Sequence, residues 1–215
     1  MNTQATFRLL LLSITLGRAA TPMALAQDTD PAPAFGKGNV ALNAGVGLGG
    51  VRPGYYGNYN DHYSNSPTFC LSAEGGVAKA GPGVIGVGGF LSHRWTRRLE
   101  EDSYGSVTYT YDERWTRTTI GARVAWHLSE HVPAHKLDLY AGVMLGYAIV
   151  GYRNESTRTV NGETTTYSSN SRPRRGYGDW STFVGARYFF TRNVGAYAEL
   201  GYGVSIINLG AAFRF

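Results

Sequence analysis

The chain has 215 residues, of which 43% are hydrophobic, and it carries a formal net charge of +5 at pH 7. This length predicts one folded domain, and the modest excess of basic residues has no clustered face of the kind that binds nucleic acid. A single cysteine, Cys70, excludes an intrachain disulfide framework.

Residues 1–26 have the features of a secretory signal peptide. A basic residue precedes the apolar stretch LLLLSITLG, and Ala24-Leu25-Ala26 fits the rule of small residues at the cleavage site. The apolar stretch is too short to span a bilayer as a helix. Residues 27–38, QDTDPAPAFGKG, are expected to form a short periplasmic linker. The predicted folded domain therefore covers residues 39–215.

From Asn39 onward, apolar residues recur at every second position in eight segments. The closing segment, INLGAAFRF, keeps this pattern up to its last residue. A period of two is typical of a strand whose two faces meet different environments. The third segment is the least regular, because Phe90 falls on the face opposite to the other apolar residues. The segments are Val40–Leu48, Phe69–Val77, Val84–Trp95, Ile120–Leu128, Leu137–Ile149, Trp180–Phe190, Ala196–Tyr202 and Ile207–Phe215.

Charged residues in the middle of these segments all fall on one face, which is rich in Gly, Ala and Ser and suits a cramped interior. The opposite face is apolar and ends in aromatic residues, as in the girdled band of an outer-membrane barrel. A water-soluble sandwich would instead turn the charges outward. An arginine facing lipid at mid-membrane would cost about 2 to 4 kcal/mol, so we expect the charges to form a network inside a barrel. The predicted network contains Glu74, Arg123, Asp138, Arg187, Glu199 and Arg214.

The links between segments alternate in length. The long, polar links cover residues 51–67, 96–114 and 153–179. The short links cover residues 79–83, 129–136 and 191–193. Long extracellular loops and short periplasmic turns are typical of bacterial barrels. The sequence therefore predicts an all-β fold: an eight-stranded antiparallel up-and-down transmembrane β-barrel in the outer membrane of a Gram-negative bacterium.

Two of the long links carry strand signals of their own. The alternation continues through SVTYTYDERWTRTT, and Asn161-Gly162 is a strong hairpin-turn signal. Two sheet extensions are therefore expected to rise above the membrane, where an exposed edge can recruit a strand of another protein. The alternative is a solvated scaffold whose edges are blunted by charge. Two clusters in the outer links suit contacts with proteins or anionic lipopolysaccharide: Tyr55, Tyr56, Tyr59 and Tyr63, and Arg172, Arg174 and Arg175.

The chain resembles the small outer-membrane β-barrel proteins of the OmpA and OmpX type. The resemblance covers about Asn39 to Phe215 and includes the stretches GARYFFTRNVGAYAELGYG and INLGAAFRF. It implies a barrel domain without the peptidoglycan-binding domain that follows it in full OmpA-like proteins. It also implies that the barrel assembly machinery reads the final strand, with Phe215 as the assembly signal. We expect a monomer surrounded by outer-membrane lipids and lipopolysaccharide.

A closed, charged interior with a structural or surface-binding role is the favoured function. A narrow pore for ions or small solutes is the first alternative, although the interior of an eight-stranded barrel is just wide enough to be filled by side chains. The second is a lipid A-modifying enzyme, which needs a serine next to a histidine base; His93 lies on the apolar face, but Ser92 points inward. The stretch GVGLGG (Gly45 to Gly50) matches a dinucleotide-binding motif by letters, but no helix can follow it. We therefore expect no catalytic residue, no cofactor, no metal and no nucleic-acid partner.

Overall fold

The computed structural model describes residues 33–49, 62–128 and 135–215, without the side chains of residues 62, 63, 170 and 172–174. The predicted signal peptide and Tyr55, Tyr56 and Tyr59 lie outside these ranges. Within them, no helix could span a membrane. The strands are β1 (Val40–Leu48), β2 (His62–Asn65), β3 (Thr68–Ala80), β4 (Gly83–Tyr104), β5 (Val107–His127), β6 (Leu137–Val160), β7 (Glu163–Phe189), β8 (Val194–Tyr202) and β9 (Ile207–Arg214).

Eight of these strands form one closed antiparallel barrel. Each barrel strand pairs with the next in the chain, from β1 with β3 through to β8 with β9. The ring closes because β9 also pairs with β1, which places Leu42 opposite Phe213. The short strand β2 adds to β4 at Thr96–Leu99. The predicted all-β, eight-stranded, antiparallel up-and-down barrel is confirmed.

The alternation along each strand separates an apolar outer wall from a polar interior. In β9, for example, Leu209 faces outward and is 49% exposed, whereas Asn208 faces inward and is 7% exposed. Phe90 interrupts the third segment because it faces inward, where it packs with Met144 and Phe183. Large apolar side chains form an exposed band around the barrel, including Val46, Leu71, Leu91, Ile120, Leu145, Val184, Leu200 and Leu209.

Four neighbouring strands are much longer than the barrel requires. Strands β4 to β7 have 22, 21, 24 and 27 residues, whereas a tilted membrane strand needs about 9 to 11. They continue as a sheet to two tight turns, and at the second turn Asn161 and Gly162 have φ values of 51° and 87°. A type I′ hairpin turn requires positive φ at both central residues. The links predicted at residues 96–114 and 153–179 are therefore mostly strand.

Candidate functional site

The structure brings five of the six predicted network residues together inside the barrel. They lie on β3, β5, β6, β7 and β8, and the alternation turns each of them toward the barrel axis. Each of the five is at most 4% exposed: Glu74, Arg123, Asp138, Arg187 and Glu199. We call this group the interior cluster.

Arg123 connects carboxylates from two distant strands. Its Nε donates a hydrogen bond to Oε2 of Glu74 at 3.0 Å, and its Nη2 donates to Oε1 of Glu199 at 2.6 Å. The same Glu199 oxygen accepts a hydrogen bond from the hydroxyl of Tyr140 at 2.9 Å. The guanidinium carbon of Arg123 lies 3.9 Å from the ring centroid of Phe183. Arg123 thus ties β5 to β3 and β8 across the lumen.

Arg187 makes the second set of links. Its Nη1 donates to Oδ2 of Asp138 at 2.9 Å, its Nε donates to Oδ1 of Asn43 at 3.0 Å, and its Nη2 donates to Oε1 of Glu74. The guanidinium carbon lies 4.4 Å from the ring centroid of Tyr140. Glu74 therefore bridges the two arginines, and the interior cluster is one connected network of charge-assisted hydrogen bonds.

Glycines at the paired positions of the neighbouring strand make room for two large interior side chains. A Cβ at Gly185 would lie 2.7 Å from the ring of Tyr140, and a Cβ at Gly142 would lie 2.6 Å from the ring of Phe183. A cavity of about 20 Å³ remains beside Arg123, which is enough for one water molecule. At this level the side chains described by the structure fill the barrel.

The sixth predicted residue, Arg214, lies at the short-turn end of the barrel and does not join the interior cluster. Its Nη1 donates to the carbonyl oxygen of Ala34 at 2.6 Å, and its Nη2 donates to the carbonyl oxygen of Arg192 at 2.7 Å. Arg214 is on the inner face of β9, but it is the last residue of that strand. It therefore holds the segment before β1 against the barrel.

That segment places Phe35 in the end of the lumen. Ala34 and Phe35 are fully buried, and the ring of Phe35 stacks on His127 with 4.0 Å between centroids. Nδ1 of His127 lies 3.0 Å from Oδ2 of Asp138, which connects this stack to the interior cluster. Residues 33–38, expected to be linker, thus close this end. The only sequence signal was one large apolar residue in QDTDPAPAFGKG.

Replacing Phe35 with alanine is expected to lower the free energy of unfolding by about 1.5 to 3 kcal/mol, the usual value for burying such a side chain. Urea unfolding of the protein in lipid vesicles measures this change. Lys37→Ala is the control, because Lys37 belongs to the same segment and is exposed. Equal stability of Phe35→Ala and Lys37→Ala would show that the segment does not stabilise the barrel.

A second buried polar group lies at the opposite end of the barrel. Nη2 of Arg117 donates to Oδ2 of Asp179 at 2.6 Å, and Nη1 of Arg94 donates to the carbonyl oxygen of Gly49 at 3.4 Å. Arg94 and Arg117 are opposite each other on β4 and β5, and both are buried. The predicted network does not include this group. Both arginines lie next to the link predicted at residues 96–114.

Beyond the barrel, the sheet of β4 to β7 has two different faces. The face continuous with the lumen carries Trp115 and Tyr152, whose ring centroids are 5.4 Å apart. Glu113 on this face accepts hydrogen bonds from the Tyr152 hydroxyl at 2.5 Å and from Nη1 of Arg98 at 2.9 Å. The opposite face continues the outer wall. We call this part the protruding sheet.

The remaining candidates lie on the surface. Nδ1 of His93 is 2.8 Å from the hydroxyl oxygen of Thr118, whereas Ser92 is buried in the interior. Arg175 is exposed on β7, and the side chains of Tyr63, Arg172 and Arg174 lie outside the described part of the chain. The side chain of Phe215 is 70% exposed. Its backbone exchanges two hydrogen bonds with Val40, at 2.9 and 3.0 Å.

Comparison with known proteins gives structural neighbours only. No protein-family model matches the chain, and no curated protein matches it. Two solved structures of Ail, the attachment invasion locus protein of Yersinia pestis, are similar to 83% of this chain over 99% of their own, with 17% identity. The one in complex with the heparin analogue sucrose octasulfate has a TM-score of 0.45, and the other has a TM-score of 0.40. The assignment of the fold rests on the strand pairing of this chain itself.

Proposed function

We propose that the protein is a small outer-membrane β-barrel with a closed interior, which holds a binding surface above the cell. The observation that carries this proposal is the protruding sheet, formed by the continuation of β4 to β7 past the barrel. In this proposal, lipid surrounds the barrel below the protruding sheet. The proposal assigns no catalytic residue.

The outer wall of the barrel supports a membrane location. Exposed apolar side chains surround it as a band, and Trp95, Trp126, Trp180 and Tyr202 are exposed toward the ends of its strands. Aromatic girdles at both ends of an apolar band are typical of outer-membrane barrels. Closure of the ring between β1 and β9 leaves the barrel without an open edge, which lipid would not satisfy.

The interior supports a role without conduction. The interior cluster spans the lumen with buried hydrogen bonds. Phe35 stacks on His127 next to this cluster, at the short-turn end of the barrel. Arg117 and Asp179 form a further layer toward the protruding sheet. Since an eight-stranded barrel has room for little more than its own side chains, these layers favour a closed interior over a narrow pore.

The edge of the protruding sheet supports protein binding. Strand β8 pairs with β7 along Thr182–Phe189, whereas β7 begins at Glu163. Among the described strands, none pairs with that side of β7 from Glu163 to Ser181. An edge of this kind presents backbone donors and acceptors to which an extended segment of another protein can add. The partner expected from this geometry is therefore a protein that supplies a strand.

Display on the cell surface is tested by labelling single cysteines with a membrane-impermeant maleimide in a Cys70→Ser background. Glu163→Cys, which is exposed directly after the turn of the β6–β7 hairpin, is expected to react on intact cells. The control is Thr191→Cys, which is exposed at the opposite end of the barrel and is expected to react only after the membrane is permeabilised.

Labelling of both positions on intact cells, or of Thr191→Cys alone, would contradict the proposed orientation. The closed interior is checked separately with the purified protein in planar bilayers. Discrete channel openings there would favour the pore.

A further inference from the structure

Three arginines lie side by side on the outer face of the protruding sheet. Arg97 on β4 is opposite Arg114 on β5, and Arg114 is opposite Arg153 on β6. Like charges directly across a pair of strands are destabilising unless something compensates for them. Two of them, Arg97 and Arg114, share such a compensating group.

Asp112 holds Arg97 and Arg114 in a fixed orientation. Its Oδ1 accepts hydrogen bonds from Nε of Arg97 at 2.9 Å and Nε of Arg114 at 3.3 Å. Its Oδ2 accepts from Nη2 of Arg97 at 3.0 Å and Nη2 of Arg114 at 2.8 Å. Each guanidinium therefore uses one edge for Asp112 and keeps its Nη1 group for another ligand. The side chains of Arg97 and Arg114 are 46% and 55% exposed.

The hydrogen bonds of Asp112 with Arg97 and Arg114 persist across the physiological pH range. Hydrogen bonds from Arg114 and Arg97 lower the pKa of Asp112 from 3.8 to about 2. The pKa of Asp112 in the folded protein lies below its value in the unfolded chain. The stabilisation that the ionised carboxylate provides is therefore present above pH 3.8 and is lost as the pH falls through about 2. Glu155 lies opposite Asp112 and pairs with Arg153 at 3.2 Å, so three arginines and two carboxylates leave a net positive charge on this face at neutral pH.

The position of the patch relative to the apolar band indicates the type of ligand. Arg97 follows Trp95 by two residues on β4, so both side chains are on the outer face. Trp95 stacks on Phe69 at 5.7 Å, and both rings are exposed on the wall of the barrel. Aromatic side chains mark the membrane interface. The guanidinium groups consequently lie just outside the apolar band, at the depth of lipid head groups.

We propose that Arg97 and Arg114 bind the phosphate of an anionic lipid in the outer leaflet. Guanidinium groups bind phosphate with two parallel hydrogen bonds, and Asp112 holds two of them next to each other with their free Nη1 groups available. The lipid chains would then lie against the aromatic and apolar wall below. This inference rests on the proposed outer-membrane location of the barrel.

The test compares two double variants that each remove two positive charges. One is Arg97→Gln with Arg114→Gln. The matched control is Arg158→Gln with Arg192→Gln, since Arg158 is exposed on the opposite face of the protruding sheet and Arg192 is exposed in the short turn at the other end of the barrel. Full-length protein folded in neutral detergent is titrated with diphosphorylated lipid A, and quenching of tryptophan fluorescence by a brominated form of that lipid reports binding.

The first variant is expected to bind at least about tenfold more weakly than the unmodified protein, because hydrogen bonds to a charged group are each worth about 1.5 to 3 kcal/mol. The control should bind like the unmodified protein. Equal losses in both variants would indicate attraction by net charge alone and would overturn the assignment, as would no loss in either. Equal binding of dephosphorylated lipid A would also overturn it.

Competition with inorganic phosphate distinguishes a lipid ligand from a soluble phosphate ligand. Competition by millimolar inorganic phosphate, with lipid binding abolished, would assign the patch to a free phosphate and overturn the lipid proposal. Both variants must show the heat-modifiable gel mobility of a folded barrel. A barrel that folds but shows no preference between the variants refutes this inference alone, whereas reversed cysteine labelling on cells refutes the proposed location.

Discussion

Replacing Arg187 with alanine is expected to lower the free energy of unfolding by about 3 to 5 kcal/mol, the usual result of removing one partner from a buried charge network. Arg187 is fully buried and donates to Asp138, Asn43 and Glu74. Without it, Asp138 and Glu74 would remain in the lumen with part of their negative charge uncompensated. Urea unfolding in lipid vesicles, followed by tryptophan fluorescence, measures the change.

Arg158→Ala is the matched control, because Arg158 is exposed on the protruding sheet, and surface substitutions usually change stability by less than about 0.5 kcal/mol. A second variant, Glu199→Ala, removes a carboxylate from the other end of the interior cluster and should also destabilise the barrel. If both interior variants unfold at the same urea concentration as Arg158→Ala, the interior cluster does not stabilise the fold.

Deleting residues 208–215 is expected to abolish folding altogether. Strand β9 pairs with β1 on one side and with β8 on the other, so its loss leaves two unpaired strand edges. Lipid and detergent offer no hydrogen-bond partners to such edges. The heat-modifiable folded band should therefore disappear, both for refolded protein and for protein made in cells. A folded band from this deletion would mean that the barrel closes in another register.

The variant Phe215→Ala separates strand closure from recognition during assembly. The backbone of residue 215 keeps its two hydrogen bonds with Val40, and the ring that is removed is mostly exposed. Refolding of pure protein in detergent should therefore be unchanged. We propose, as the resemblance to OmpA- and OmpX-type barrels implies, that the assembly machinery reads Phe215, so the amount of folded protein in the outer membrane should fall sharply. Normal levels there would leave Phe215 as an interface anchor only.

The strands and the direction of the interior charges could be predicted because they depend on a local pattern. A period of two assigns each residue to a face whatever the rest of the chain does. For the same reason the irregular Phe90 was placed on the inner side of the third segment, although its contacts with Met144 and Phe183 could not be foreseen. The face of the strand on which a residue lies can be derived from the sequence, but the residues that it contacts across the lumen cannot.

The residues that the sequence analysis missed depend on strand tilt and register. Arg214 faces inward as expected, but it is the last residue of β9, which places it at the end of the barrel instead of in the interior cluster. Arg117 and Asp179 meet from β5 and β7, which are separated by β6. Phe35 lies in a segment without periodicity, and its contact with His127 is long-range. None of these distances is encoded within a single strand.

The fit between interior glycines and aromatic rings has an evolutionary consequence. The ring of Tyr140 occupies the space that a side chain at position 185 would need, whereas at position 142 the backbone oxygen of Val124 is closer than the ring of Phe183. A residue larger than glycine at 185 therefore needs a smaller one at 140, so we expect these two positions to covary among homologues. The outward-facing side chains beside them, Leu139, Val143 and Val184, are exposed. There, one apolar residue should replace another independently, and sequence drift should be fastest on the side of the wall that looks most uniform.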